Sequence, residues 1–123
     1  MLPRMIENLT KETFLERVYD FEKNKEWKFE GKRPVIVDFY ANWCAPCITI
    51  AFALELILKE YGDKIDIYRV DTEAEQELTA AFGIRSRPSL LFCSAEAAPH
   101  IAKGIMPKAE LERMIADILK VEK

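Results

Sequence analysis

The order of hydrophobic and polar positions along the chain predicts helices that alternate with strands. Leu9, Phe14 and Val18 recur at helical spacing, whereas the β-branched and aromatic run of residues 35–40 indicates a buried strand. The predicted helices cover residues 11–23, 45–61, 73–82 and 108–121, and the predicted strands cover residues 35–40, 65–70, 89–93 and 100–103. A β-α-β unit followed by a hairpin and a helix is typical of an α/β domain with a mixed sheet.

Two of these elements depart from the ordinary pattern. The strand at 35–40 is apolar on both faces except at Asp38, which predicts an acid inside a strand that helices cover on both sides. The helix at 45–61 is apolar over most of its length, and Gly62 follows it as a stop signal. Asp38 is therefore an anomaly in its strand, and the helix that follows is unusually apolar.

Length and composition predict one folded domain that covers residues 1–123. In it, an extended N-terminal helix and connection, about residues 10–34, precede the central strand. Hydrophobic residues make up 50% of the chain and there are only 4 Gly, which excludes a disordered chain. Because 18 Lys and Arg stand against 21 Asp and Glu without long blocks of one sign, nucleic acid is not an expected partner.

Hydropathy also bears on the expected location. The longest uncharged stretch, residues 39–54, is shorter than the roughly 18 to 20 apolar residues that a membrane helix needs, so no membrane span is predicted. Residues 1–5 lead directly into a charged segment without the apolar run of a signal peptide. We therefore expect a cytoplasmic protein, or a periplasmic or exported one if a signal peptide has been removed.

A pair of cysteines lies where the central strand gives way to the apolar helix, in the sequence Trp43-Cys44-Ala45-Pro46-Cys47. Residues three apart in a first helical turn have Cβ atoms roughly 5 to 6 Å apart, so this pair can open and close a disulfide. If Cys44 is the N-cap, the unpaired backbone N–H groups and the helix dipole stabilise its thiolate. Cys44 is the predicted nucleophile, and Cys47 is predicted to attack the mixed disulfide that Cys44 forms with a substrate.

Three motifs, in this order along the chain, resemble the thioredoxin family. They are VDFYANWCAPC at residues 37–47, GIRSRPSLLF at residues 83–92, and Gly104 before the last helix. A C-x-x-C pair beside a β-α-β pattern is itself typical of a thioredoxin-like redox motif. The resemblance spans roughly residues 9–121 and implies the thioredoxin fold, a central mixed sheet of about five strands flanked by helices on both faces.

The same resemblance implies a set of site residues. Cys44 and Cys47 would form the redox disulfide, and Pro88 would follow a cis peptide bond and lie against this pair. The backbone of Arg87 would pair with an extended segment of the substrate. The substrate-binding residues implied by the resemblance are Trp43, Ala45, Pro46, Arg87, Pro88 and Gly104.

Asp38 gains a catalytic role by the resemblance, because the family places a buried carboxylate behind the second cysteine. Burial raises the pKa of a carboxyl group, so Asp38 would take the proton of Cys47 through a water. The aligned partner is Arg69, where the family usually has a lysine, and an arginine cannot give up a proton. We expect Arg69 to hold the pKa of Asp38 down. The alternative role for Asp38 is a buried acid that Arg69 merely neutralises.

Other positions differ from the usual family pattern. Ala45 replaces the glycine between the cysteines, and Arg87 replaces the apolar residue before the proline, which places a cation at the rim of the substrate groove. The alternative for Arg87 is a side chain that points to solvent or pairs with a nearby carboxylate. Phe52 stands near the position of a kinking proline, so the long helix should run straighter. Ile48 and Leu56 align with positions that are commonly polar. We expect both to pack under a neighbouring element, the alternative being an apolar strip that faces solvent.

A metal site is the alternative use of the cysteine pair. Cys93 and His100 would have to supply two more zinc ligands, but their separation lacks the spacing of a zinc finger, so no metal is expected. We expect Cys93 to be an inert core residue and His100 a surface residue.

The predicted function is a thiol-disulfide oxidoreductase, an enzyme that reduces disulfides of protein substrates through Cys44 and Cys47. Its expected partners are disulfide-containing proteins and an external reductase or membrane electron donor. It is expected to be a monomer with no bound cofactor. Two alternatives stay open: an oxidase or isomerase of the same fold in an oxidising compartment, and a thioredoxin-fold binding module whose apolar helix docks a partner.

Overall fold

A mixed sheet forms the centre of the protein. The computed structural model describes residues 6–123, and within them the sheet has five strands: β1 (Glu7–Asn8), β2 (Val35–Tyr40), β3 (Asp66–Asp71), β4 (Ser89–Cys93) and β5 (His100–Lys103). Their order across the sheet is β1-β3-β2-β4-β5. Strands β1 and β2 run parallel to β3, whereas β4 runs antiparallel to both β2 and β5. The buried, apolar run of β2 therefore lies in the middle, as its sequence predicts.

Helices cover both faces of this sheet, which confirms the predicted architecture. They are α1 (Lys11–Arg17), α2 (Ala45–Tyr61), α3 (Gln76–Ala81) and α4 (Lys108–Met114); a 3₁₀ turn (Gly62–Lys64) follows α2, and a wider helical turn (Ile115–Leu119) continues α4. Helix α2 ends where the sequence predicts, because Gly62 adopts a φ of +60° that side-chain-bearing residues rarely take.

The sheet separates two hydrophobic cores, because successive side chains of a strand point to opposite faces. On one face, Ile36 of β2 packs with residues of α2, of α4 and of the wider turn after α4, among them Ile50, Leu54, Leu111 and Ile115. On the other face, the core combines strand residues with residues of α1 and α3, among them Val35, Val37, Phe39, Phe14 and Leu78. Asp38 shares its face of β2 with Ile36. Its carboxyl group therefore lies on the side of the sheet that α2 covers.

Helix α1 is shorter than the predicted helix at residues 11–23. The prediction was wrong for residues 18–23, which lie outside α1. The chain leaves helical conformation at Val18, whose φ is −120°. There the backbone pairs with the connection that follows: the N–H of Glu30 donates to the carbonyl of Val18 at 2.8 Å, and Tyr19 forms an antiparallel bridge with Phe29. Long-range pairing thus ends a helix that the periodicity alone would continue.

Helix α3 starts later than predicted, at Gln76 instead of residue 73. The carboxylate of Asp71 accepts hydrogen bonds from the backbone N–H groups of Glu73 at 3.0 Å and Ala74 at 3.3 Å. This arrangement holds the chain in a turn after β3, as aspartate side chains commonly do. Strand β3 itself covers Asp66–Asp71, one residue beyond the predicted 65–70.

Candidate active site

The cysteine pair lies where the chain leaves β2 and enters α2. The N–H of Cys44 donates to the carbonyl of Ala41 at 3.2 Å, which turns the backbone toward the helix. Cys44 is the N-cap of α2, with extended φ and ψ of −92° and 106°, and its Sγ accepts a hydrogen bond from the N–H of Cys47 at 3.2 Å. This confirms the N-cap position predicted for Cys44. The helix terminus therefore offers its sulfur the stabilisation that an anion receives there.

Cys44 and Cys47 are joined in a disulfide, with their Cα atoms 5.3 Å apart. Both are nearly inaccessible, with exposed fractions of 4% and 1%. The residues around them are open: Trp43 is 70% exposed, and Ala45 and Pro46 are also exposed. A molecule that reaches the sulfur of Cys44 must therefore contact the surface that these neighbours form.

A second part of the predicted site lies where β4 begins and β5 ends. The peptide bond between Arg87 and Pro88 is cis, as the family resemblance implies, and Pro88 is buried. The carbonyl of Pro88 accepts a hydrogen bond from the N–H of Gly104 at 2.9 Å. Gly104 has a φ of +88°, in the region that favours glycine. Two of the predicted substrate-binding residues are thus fixed to one another through the backbone.

The side chain of Arg87 is half-buried and tied to the loop after β3. Its Nε donates to the hydroxyl of Thr72 at 2.9 Å, and its Nη1 donates to the carbonyl of Arg85 at 2.9 Å. Thr72 in turn donates its hydroxyl to the carbonyl of Tyr40 at 2.9 Å. The guanidinium is therefore anchored by neutral oxygens. No sequence pattern signals the role of Thr72, because it depends on contacts between residues distant in the chain.

Asp38 is completely buried in the centre of β2. The Nε of Arg69 donates to its Oδ2 at 3.1 Å, while its Oδ1 has no hydrogen-bond partner among the described residues. Burial raises the pKa of Asp38 from 3.8 to about 6, and the nearby charge of Arg69 lowers it. The expected effect of Arg69 is therefore present, but burial outweighs it and the net shift is upward.

Tyr40 holds the guanidinium of Arg69 in place, a role that was not predicted from the sequence. The centre of the guanidinium lies 3.7 Å from the centroid of the Tyr40 ring, the geometry of a cation–π contact. The hydroxyl of Tyr40 accepts a hydrogen bond from Nδ2 of Asn8 at 2.7 Å. The spacing of Tyr40 and Asp38 in the sequence could have indicated this contact. Tyr40 comes two residues after Asp38, so both side chains lie on the same face of β2.

The outer face of α2 does not meet the expectation that Ile48 and Leu56 pack under a neighbour. Ile48 is 58% exposed, Phe52 is 66% exposed and Leu56 is 51% exposed. These residues lie opposite the buried side of the helix, which includes Cys47 and Ile50. The structure therefore shows the alternative, an apolar strip that faces solvent.

The remaining candidates lie apart from the cysteine pair. Cys93 is buried in β4, where burial raises the pKa of its thiol far above the ordinary value, whereas His100 is exposed. Between residues 6 and 123, the His, Cys, Asp and Glu side chains form no group of three or more that is suited to a metal ion. None of the helices described for this range is long and apolar enough to span a membrane.

Comparison with known proteins identifies the family. The thioredoxin family model matches residues 6–117, nearly the whole of the described chain. The chain belongs to the thioredoxin family. Among individual relatives, a thioredoxin of Borreliella burgdorferi is 41% identical over 110 residues, which cover 89% of this chain and 94% of that protein.

Two further relatives are more distant. The chloroplastic M-type thioredoxin of Spinacia oleracea is 36% identical over 95 residues, which cover 77% of this chain and 52% of that protein. The crystal structure of chloroplastic thioredoxin z superposes with a TM-score of 0.79 at 20% identity, covering 98% of this chain and 100% of that chain. That agreement confirms the thioredoxin fold.

The family and the cysteine pair together establish the activity. This thioredoxin-family protein is a thiol-disulfide oxidoreductase that reduces disulfides of protein substrates by dithiol-disulfide exchange. In this reaction the dithiol form reduces a substrate, and the protein is left with the Cys44–Cys47 disulfide, the form seen in this structure.

Proposed function

We propose that Cys44 attacks the substrate and that Cys47 releases it. The thiolate of Cys44 bonds to one sulfur of the substrate disulfide, and the other substrate sulfur leaves as a thiolate. The thiolate of Cys47 then attacks the Cys44 sulfur, which forms the Cys44–Cys47 disulfide and frees the second substrate thiol. The observation that carries this assignment is the N-cap position of Cys44, whose sulfur lies 3.2 Å from the backbone nitrogen of Cys47.

In this proposal Asp38 is the base that takes the proton of Cys47. It is a catalytic residue in the sense that it exchanges a proton with the reacting thiol through an intervening water. Two observations support this role: the burial of Asp38 on the face of β2 that α2 covers, and its Oδ1, which has no hydrogen-bond partner in the part of the chain that the structure describes. Its pKa of about 6 also favours it, because a base works best when its pKa lies near the working pH.

The proposed substrate surface surrounds the disulfide. Trp43, Ala45 and Pro46 form its exposed rim, and the backbone at Arg87 pairs with an extended substrate segment. Pro88 and Gly104, joined by their backbone hydrogen bond, complete it.

Single cysteine variants test the order of attack. A Cys47→Ser variant should trap insulin as a mixed disulfide through Cys44, whereas Cys44→Ser should neither trap nor reduce it. Mass spectrometry of the non-reduced products identifies the linked residue. Trapping through Cys47 in the Cys44→Ser protein would show that the roles are reversed.

The remaining properties belong to the same proposal. Because each turnover leaves a disulfide, an external reductase or membrane electron donor must restore the dithiol. We propose that the protein does this as a monomer with no bound cofactor and as one domain over residues 1–123. Its proposed location is the cytoplasm, or the periplasm or exterior if a signal peptide has been removed. Sedimentation, absorption spectra and fractionation of the source cells test these points.

A further inference from the structure

Helix α2 exposes an apolar row that the thiol chemistry does not use. Ile48, Phe52 and Leu56 follow one another at intervals of four residues, so they lie along one side of the helix. Each is more than half exposed, at 58%, 66% and 51%. A helix with one covered face ordinarily carries polar residues on the other. Contiguous exposed apolar side chains of this size mark interaction surfaces.

The row begins beside the disulfide. Ile48 directly follows Cys47, and Trp43, 70% exposed, directly precedes Cys44. From Ile48 to Leu56 the helix rises by roughly 12 Å, at 1.5 Å per residue. A protein that brings its disulfide to Cys44 must contact the rim at Trp43, so its adjoining surface lies within reach of the row. Along the chain, the row thus starts at the residue that follows the second reacting cysteine.

The charges around the row indicate which kind of partner surface fits it. No charged residue occurs in residues 39–54, and the first ones on the helix are Glu55, Lys59 and Glu60. The part of α2 next to the disulfide therefore offers no charge for selecting a partner. A complementary partner surface is apolar, and its association should depend little on salt.

The size of the row argues against a second copy of this chain as the occupant. Three partly exposed side chains of this kind offer on the order of 300 Å² of contact area. A stable protein interface buries about 800 Å² on each partner. The row is too small to hold a dimer by itself, but it suits an extension of the brief contact that a substrate makes at the active site.

We propose that the row formed by Ile48, Phe52 and Leu56 docks protein substrates whose disulfide is flanked by exposed apolar side chains. The inference rests on the reductase function and adds a substrate class to it. Apolar side chains beside a disulfide are accessible in incompletely folded chains, so such chains are the preferred substrates.

Two synthetic peptides with the same internal disulfide test the proposal. One carries leucine at three positions spaced four residues apart beside the disulfide, and the other carries glutamine at those positions. Stopped-flow fluorescence measures how fast the reduced protein reacts with each. The wild-type protein should react about tenfold faster with the leucine peptide, a preference that a few buried apolar contacts readily supply.

Variants of the row locate that preference. A triple variant, Ile48→Gln with Phe52→Gln and Leu56→Gln, should lose the preference and keep the wild-type rate with the glutamine peptide. The matched variant Phe52→Leu should keep most of the preference, because it stays apolar. Since all three residues are exposed, the midpoint of urea unfolding should not fall in either protein.

Equal preference for the leucine peptide in the triple variant and the wild-type protein would overturn the proposal. So would a wild-type dimer in sedimentation that the triple variant abolishes, because a second copy would then occupy the row. The small disulfide 5,5′-dithiobis(2-nitrobenzoic acid) separates this result from a failure of the function itself. If the wild-type dithiol reacts neither with it nor with the peptides, the thiol chemistry is at fault and not the row.

Discussion

At the scale of single residues, the carboxyl group of Asp38 is governed by two opposing effects. Complete burial disfavours its charge, and the guanidinium of Arg69 at 3.1 Å favours it. Among residues 6–123, only one carboxylate oxygen of Asp38 has a hydrogen-bond partner, and the cation that supplies it is itself held by the ring of Tyr40. Burial prevails, which leaves a group that changes its protonation near pH 6. A surface carboxylate with the same ion pair would instead have a lowered pKa.

The raised pKa of Asp38 predicts a pH-dependent stability. Because its folded pKa of about 6 exceeds the ordinary 3.8, folding favours the protonated form. The stability that this group contributes is complete below pH 3.8 and is lost as the pH rises through 6. At neutral pH, where Asp38 is ionised, this lowers the free energy of unfolding by about 3 kcal/mol.

An Asp38→Asn variant should therefore be more stable than the wild-type protein at pH 7.5, by about 1 to 3 kcal/mol, and nearly equal to it at pH 4. Urea unfolding of the disulfide form at both pH values measures the difference. The same variant should release reduced substrate more slowly near neutral pH. Identical pH profiles of stability would contradict the raised pKa, and unchanged turnover would leave Asp38 with a structural role only.

Arg87 predicts an electrostatic preference for acidic substrates. In its proposed position at the rim of the active site, the Arg87 cation steers approaching anions over a Debye length of about 8 Å at physiological ionic strength. Replacing it in an Arg87→Ile variant should slow the reaction with an acidic peptide disulfide about fivefold at low salt and have little effect at high salt. Rates with a basic peptide should not fall.

The neighbouring exposed cation provides the control. An Arg85→Ile variant removes the same charge two residues away, while the carbonyl of residue 85 that anchors Arg87 remains. Stopped-flow measurements give the thiol-exchange rates of both variants with both peptides. They distinguish an effect of the position of Arg87 from an effect of the net charge of the protein. If the two variants slow the acidic peptide equally, Arg87 has no special position at the rim.

At the scale of elements, sequence periodicity predicted the bounds of those helices and strands that are buried evenly along their length or ended by a local signal. Strand β2 and helix α2 match their predicted bounds because one is buried on both faces and the other is ended by Gly62. Periodicity failed where contacts distant in sequence decide: α1 ends at Arg17 through pairing with the connection after it. Strand β1 has only two residues, both exposed, and was not predicted. Its existence depends on the open edge of β3, which no local pattern reveals.

The end of α2 gives a prediction about backbone strain. Gly62 has a φ of +60° with a ψ of −133°, and a Cβ added there would meet nothing within 4 Å. A Gly62→Ala variant should therefore lose about 1 to 3 kcal/mol of stability through backbone strain alone. Lys120, already at a φ of +59°, is the control, because Lys120→Gly adds no strain. The midpoint of urea unfolding measures the stability of both variants. A Gly62→Ala midpoint equal to that of the wild-type protein would contradict the predicted strain.

At the scale of the whole molecule, the sheet brings together residues that are distant in the chain. Asp38 of β2 and Arg69 of β3 are 31 residues apart in sequence, yet the two strands pair with Asp38 opposite Arg69. The motifs predicted the cysteine pair and the cis bond before Pro88. They did not predict the cation–π contact of Arg69 with Tyr40 or the hydrogen bond from Arg87 to Thr72, because those contacts join side chains that are distant in the chain.

The reductase activity requires that the whole fold favours the Cys44–Cys47 disulfide over the dithiol. The equilibrium reduction potential of the pair, measured against a glutathione buffer, tests this most directly. Reducing members of the family lie near about −270 mV, whereas disulfide isomerases lie near about −180 mV. We predict a value below about −240 mV, so that the dithiol reduces strained or exposed protein disulfides. A value above about −200 mV would contradict the account and indicate an oxidase or isomerase.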